Sequence, residues 1–179
     1  MNNISECASL YEKLLKKEYI FTLEGNIKIS IYFSSSNFYH LLGLEKLIDV
    51  TQLSGKKPNQ IYKQILKGRI TDRLISNSKY YSLIENRINN FEKILDLLNF
   101  DRSNKIIIDF DINKLSFRTK LKFTKYILYK RINTNYIHLT IGFKEKLYPE
   151  TFIIENGSTY VSEQTMLDIL SIEVKEKKG

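Results

Sequence analysis

Only two side chains in this sequence belong to a type that exchanges protons near neutral pH without help from its surroundings: His40 and His138. Paired with nearby lysine or arginine, two histidines can meet every requirement of metal-independent RNA cleavage. One group takes the 2′-hydroxyl proton, another protonates the leaving oxygen, and cations stabilise the phosphorane charge. Ninety-eight positions separate the two along the chain, so sequence leaves their distance in space open. His138 lies in a strand-like run and reads first as a structural residue. Other chemistries have less to stand on. Two histidines and one cysteine, Cys7, with no Cys-x-x-Cys pair, do not make a zinc site. No Gly-rich phosphate loop and no Gly-x-Ser-x-Gly elbow occurs. Asp109 and Asp111 have a spacing that can hold magnesium, and equally one that ends a strand. No metal and no cofactor is expected.

The charge of the chain points to a polyanion. Its formal charge is +8. Codon bias explains part of this: Ala8 is the only alanine, tryptophan is absent, and Ile, Lys, Asn and Tyr abound, as AT-rich coding DNA favours. Bias alone would spread lysine evenly. Instead residues 112–144 carry Lys114, Arg118, Lys120, Lys122, Lys125, Lys130, Arg131 and Lys144 without one acid, and the rest of the chain balances. A basic surface attracts polyanions, nucleic acid and anionic membrane above all, and such a segment favours nucleic acid over a solvated face with no partner. Arg118, Lys120, Lys122, Lys125, Lys130 and Arg131 are the expected phosphate contacts, with Tyr126, Tyr129 or Tyr136 available to stack on bases.

The elements that must position these groups follow from periodicity. Residues 3–17 form an amphipathic helix with Ile4, Cys7, Ala8, Tyr11, Leu14 and Leu15 on one face. Runs 19–23 and 27–33 flank Glu24-Gly25-Asn26 as a hairpin. A serine-rich loop then leads into a helix over 38–50 that carries His40 near its N-terminus, where backbone amides favour a phosphate. Pro58 opens another helix, which stops at Gly68. Tyr81, Ile84, Ile88, Phe91, Leu95 and Leu98 predict one long helix over 78–99. After Asn99 the period shifts to two: strands over 105–110, 115–124, 126–132, 136–143 and 150–155, with 133–135 as a hairpin loop. Alternation over 115–124 places Arg118, Lys120 and Lys122 on one face. Residues 164–174 fit helix or strand equally. Helices first and strands last predict an α+β fold, an N-terminal hairpin and helices packed on a mainly antiparallel C-terminal sheet, in a single domain over 1–179. No apolar run approaches the length of a membrane span, no export signal precedes the first helix, and a lone cysteine forms no internal disulfide. A reducing cytoplasm and no membrane contact are therefore expected.

One stretch is more specific than the rest. Phe38-Tyr39-His40-Leu41-Leu42-Gly43-Leu44-Glu45-Lys46-Leu47, following the 28–33 strand, resembles the Phe-x-His-Leu-x-Gly-Leu-x-Lys-Leu signature of the fourth phage-associated nuclease family with the Barnase–EndoU–colicin–RelE-like (BECR) fold. Tyr148-Pro149-Glu150-Thr151-Phe152 looks like a shortened form of that family's late Tyr-x-Pro-x-Ser/Thr-Phe strand. The resemblance implies a small metal-independent endoribonuclease, a toxin or phage–host conflict effector from a phage or mobile element, with a cognate antitoxin or immunity protein as a further partner. Carried over by position, it implies His40 as general acid/base, Lys46 as a phosphate contact, and Thr151 as a hydrogen-bonding group at the scissile phosphate. The competing readings are a nucleic-acid-binding module without catalysis, and an antitoxin or anti-defence protein whose basic face meets an acidic partner.

Overall fold

The computed structural model describes residues 3–176. Residues 1, 2 and 177–179, the ends of the expected 1–179 domain, lie outside the described residues. Helix α1 (Ile4–Leu15) begins in a capping box, with Asn3 Oδ1 accepting from the Glu6 amide and the Glu6 carboxylate accepting from the Asn3 amide. It buries the face that its sequence assigns to the interior: Ile4, Cys7, Ala8, Tyr11 and Leu14. Cys7 is filler rather than nucleophile, because burial pushes its thiol far above the ordinary range.

Seven strands make one antiparallel sheet: β1 (Lys17–Leu23), β2 (Lys28–Tyr32), β3 (Lys105–Ile107), β4 (Thr124–Ile132), β5 (Asn135–Phe143), β6 (Leu147–Glu155) and β7 (Met166–Glu176), in the order β2-β1-β7-β3-β4-β5-β6. The fold is α+β. The N-terminal hairpin continues the sheet, because β7 pairs with β1 on one side and β3 on the other. That pairing also decides the ambiguous 164–174 segment in favour of strand. The sheet curls until its two edges, β2 and β6, approach each other.

Four expectations are corrected. Beyond α3 (Pro58–Leu66) and α4 (Asp72–Ser76), the long helix over 78–99 is broken into a 3-10 turn (Tyr81–Leu83), α5 (Glu85–Asn89), a second 3-10 turn (Phe91–Lys93) and α6 (Ile94–Leu98). Its apolar residues are still covered, with Ile84, Ile88, Phe91 and Leu98 buried and Tyr81 and Leu95 partly so. Asn89-Asn90 is a weak point for a helix, and a straight rod cannot follow the curled sheet. The expected 38–50 helix stops early: α2 spans Asn37–Leu42, Gly43 turns left-handed at φ +75°, and a 3-10 turn (Leu44–Lys46) follows. His40 therefore stands in the last turn of a short helix, not at an N-terminus that could hold a phosphate. Residues 115–123 form no strand. Both sides of β4, the next strand in the chain, are taken by β3 and β5, and the segment lines a cleft instead of joining the sheet. The 133–135 loop is shorter than expected, since Ile132 pairs with Asn135 and Asn133 takes the positive φ of the turn.

The core lies between the helices and one face of the sheet. Tyr11, Phe33, Phe38, Tyr62 and Phe91 cluster there, with the Phe38 ring 5.1 Å from Tyr11, 5.0 Å from Tyr62 and 5.9 Å from Phe91. Phe38 thereby ties α2 to α1, to the helix that carries Tyr62 and to Phe91, whose ring in turn meets Phe152 of β6. Among the described residues no helix is long and apolar enough to cross a membrane.

Candidate nuclease cleft

A cleft of about 580 Å³ opens where α2, α5 and β6 meet the irregular 115–123 segment. His40, Lys46 and Thr151, far apart in sequence, all line it. The local reasons are visible residue by residue. Asn37 Oδ1 accepts from the Ser34 amide and hydroxyl, which fixes the entry into α2. Phe38 is locked in the aromatic core, so His40, two positions on, is exposed at the rim of the cleft. Its Nδ1 lies 3.7 Å from a Glu45 carboxylate oxygen. Lys46 follows on the 3-10 turn and is half-buried. Burial lowers the pKa of its ammonium, and the neighbouring Arg87 and Lys120 charges lower it further.

Arg87 is the residue that sequence reasoning missed. It sits on α5 between Ile84 and Ile88, on the apolar stripe. Its Nη1 donates to Thr151 Oγ1 at 2.8 Å and to the His40 carbonyl at 3.4 Å. Among the described residues no carboxylate pairs with it. Burial presses its pKa downward, and the distant Glu45 charge only partly opposes this. A basic residue at the buried position of an apolar stripe was the available signal. Thr151 is fixed from behind, where its amide donates to Thr140 Oγ1 at 3.1 Å.

Gly43 allows this approach. A Cβ there would stand 3.0 Å from Arg87 Nη1 and 3.2 Å from Ile84 Cγ2, on top of the positive φ. Gly25 has a similar φ, with nothing within 4 Å of its Cβ position. Gly43→Ala and Gly25→Ala should each lose about 1–2 kcal/mol to the left-handed backbone. Gly43→Ala should lose measurably more in urea unfolding, and the difference reports the crowding against Arg87. Equal losses would mean that Arg87 yields freely.

The remaining walls carry both charges. Arg118, Lys120 and Lys144 add cations, and Glu45 and Glu150 are the acids of the lining. Burial raises the pKa of the Glu150 carboxyl, against the lowering effect of its hydrogen bond from Thr124 Oγ1 and of the Lys144 and His40 charges. Tyr148 and Tyr160 present phenols, both with raised pKa, burial being the larger cause in each. The expected phosphate contacts are divided. Arg118 and Lys120 line the cleft; Lys122, Lys125, Lys130 and Arg131 do not. Lys125 lies over the Tyr126 and Phe143 rings, Lys130 pairs with Asp101 at 2.8 Å, and Arg131 bonds the Asn133 carbonyl. His138 is wholly buried beneath Tyr160, with Nε2 3.0 Å from Glu155 and its ring stacked on Tyr136. Asp109 and Asp111 form no metal cage: among the described residues no three His, Cys, Asp or Glu side chains converge to hold an ion.

The arrangement is one in which a phosphate can be held by a desolvated guanidinium, a half-buried ammonium and a hydroxyl, beside an imidazole and a carboxyl. No curated protein and no solved structure matches the chain. A family model described as phage-Barnase-EndoU-ColicinE5/D-RelE like nuclease 4 matches residues 3–179, nearly the whole length. The chain thus belongs to this phage-associated nuclease family, and the residue stretches that resembled its signature meet in the cleft.

Proposed function

We propose that the protein is a metal-independent endoribonuclease that cleaves by 2′-hydroxyl attack, with the scissile phosphate seated on Arg87. The observation that carries the reading is the uncompensated Arg87 guanidinium. A half-buried, largely desolvated charge without a paired carboxylate gains from an anion that completes it. Its two hydrogen bonds aim it at Thr151 and the backbone of His40, in the middle of the cleft. A planar donor fork suits a phosphate's paired oxygens.

In this reading the 2′-oxygen attacks phosphorus as Glu150 takes its proton, and the 5′-oxygen leaves with a proton from His40. The products are a 2′,3′-cyclic phosphate and a 5′-hydroxyl. Glu45 faces His40 Nδ1 and meets the imidazolium, leaving Nε2 for the leaving oxygen. Arg87, Lys46 and the Thr151 hydroxyl hold the phosphorane oxygens. Arg118, Lys120 and Lys144 bind flanking phosphates. Such an enzyme acts in the cytoplasm as a toxin or a weapon of phage–host conflict, and a cognate antitoxin or immunity protein would cover this cleft.

Incubating the purified protein with mixed RNA in EDTA tests the proposal. The expected result is cleavage leaving 2′,3′-cyclic phosphate and 5′-hydroxyl ends. Strict dependence on added magnesium, or cutting of DNA alone, would overturn it.

A further inference from the structure

We infer that a second, separate groove on α3 (Pro58–Leu66) binds the phosphate backbone of the RNA beyond the cleft, an inference that rests on RNA being the substrate. The groove is about 380 Å³, lined by Lys56, Gln60, Lys63, Gln64, Lys67 and Arg69. From 51 to 71 the sequence holds five basic residues and no acid, a run that the larger excess at 112–144 overshadows.

The geometry concentrates these charges. Ile61, Tyr62 and Ile65 bury the inner face of α3. Lys63 and Lys67 then fall one turn apart on the outer side, a like-charge spacing that destabilises a helix slightly. Gly68, at φ +65°, ends the helix, and the Arg69 amide returns to the Gln64 carbonyl at 2.9 Å, which folds Arg69 back beside the lysines. Among the described residues no carboxylate ion-pairs with any of the four cations of the lining.

The chemistry of the lining selects the partner. Protein interfaces are enriched in aromatics at their cores and depleted in lysine. This groove has no aromatic or aliphatic residue; its walls are largely the hydrocarbon stems of lysine, arginine and glutamine, whose charged heads and amides are donors of the kind that read phosphate and sugar. Its placement suits one continuous strand. α2 packs against β6, which lines the cleft, and against the inner face of α3, where Phe38 meets Tyr62. Packed helix axes lie ~8–10 Å apart, so RNA leaving the cleft past His40 reaches the groove after crossing α2 and α3.

The test compares the parent with the triple variant Lys63→Gln, Lys67→Gln, Arg69→Gln. Glutamine keeps helix propensity on the outer face of α3, and a second variant, Lys63→Arg with Lys67→Arg, keeps the charge. Affinity for a long single-stranded RNA is measured against salt, and kcat/KM is measured on that RNA and on a dinucleotide. Three lost phosphate contacts should reduce the slope of log K against log salt by about 2, at ~0.7 per contact for single strands. The Arg variant should retain the parent slope. Cleavage of the long RNA should fall roughly 10-fold at physiological salt, with the dinucleotide cut as fast as by the parent. A parent that binds and cleaves RNA with the triple variant matching it in slope overturns the groove alone. If the parent shows no salt-dependent RNA affinity, the groove falls together with the RNA reading itself. Unchanged RNA binding together with lost binding to an acidic protein would assign the groove to that partner instead.

Discussion

Arg87→Met is expected to lower RNA cleavage by about 10²–10³-fold, the loss typical of removing one preorganised donor to a developing oxyanion, while the protein unfolds at the same or a higher urea concentration. The two halves of this result come from one fact. The guanidinium is desolvated, bonded only to a hydroxyl and a carbonyl, and lacks a carboxylate partner among the described residues. In the empty protein that charge is a burden, and methionine is a flexible apolar replacement of similar length. Exchanging a buried charge for a well-packed apolar side chain is often neutral or stabilising. In the transition state the same charge meets a phosphorane, and nothing in methionine can replace it. The loss should fall mainly on kcat, because charge builds on the phosphorane oxygens after binding. Arg87→Lys should recover only part of the rate, since an ammonium lacks the planar fork. Unaltered cleavage combined with weakened folding would make Arg87 a structural cap on Thr151 and remove the main support for the proposed function.

His40→Ala should cost about 10²–10⁴ in rate, the usual loss of a general acid or base, and leave stability nearly unchanged. His40 is exposed at the rim, and its one charged neighbour, Glu45, is also exposed, so its removal opens no cavity and strands no buried group. Any growth arrest that the parent causes on expression should disappear with the cleavage. His138→Ala is the counterpart with the opposite pattern. Its ring is wholly buried between Tyr136, Tyr129 and Tyr160 and holds Glu155 at 3.0 Å. Its removal leaves a void and takes from a partly buried carboxylate one of its donors, with the Thr159 hydroxyl and the Tyr160 amide remaining, a loss of about 1–3 kcal/mol. Cleavage rates compared at matched folded fraction separate the two. If His40→Ala cuts as fast as the parent, the proton transfers belong to Glu150 and the phenols of Tyr148 or Tyr160.

Sequence by itself determined the class of the fold and the stretches that matter. Period 3.6 gave the buried face of α1, period two gave β2, and apolar runs bounded by turn residues gave β1 and β4–β6. Both rest on which side of one element is apolar, which is a local property. The same holds for the decapeptide around His40 and the Thr151 strand, which were recognisable as motifs because their spacing is fixed within a few residues. Tertiary structure decided the rest. Alternation over 115–124 looked like a strand, yet a strand needs a neighbour, and only the order of the sheet reveals that both sides of β4, the strand next to it in sequence, are taken by β3 and β5. The stripe over 81–98 looked like one helix, yet burying it against a curled sheet required breaks. Arg87 escaped notice because its meaning lies in what it touches: Thr151, 64 residues away, and the backbone of His40, 47 residues away. Whether a cation is solvated, paired or held bare toward a cleft depends on burial and on partners distant in sequence, and those exist only once the chain has folded.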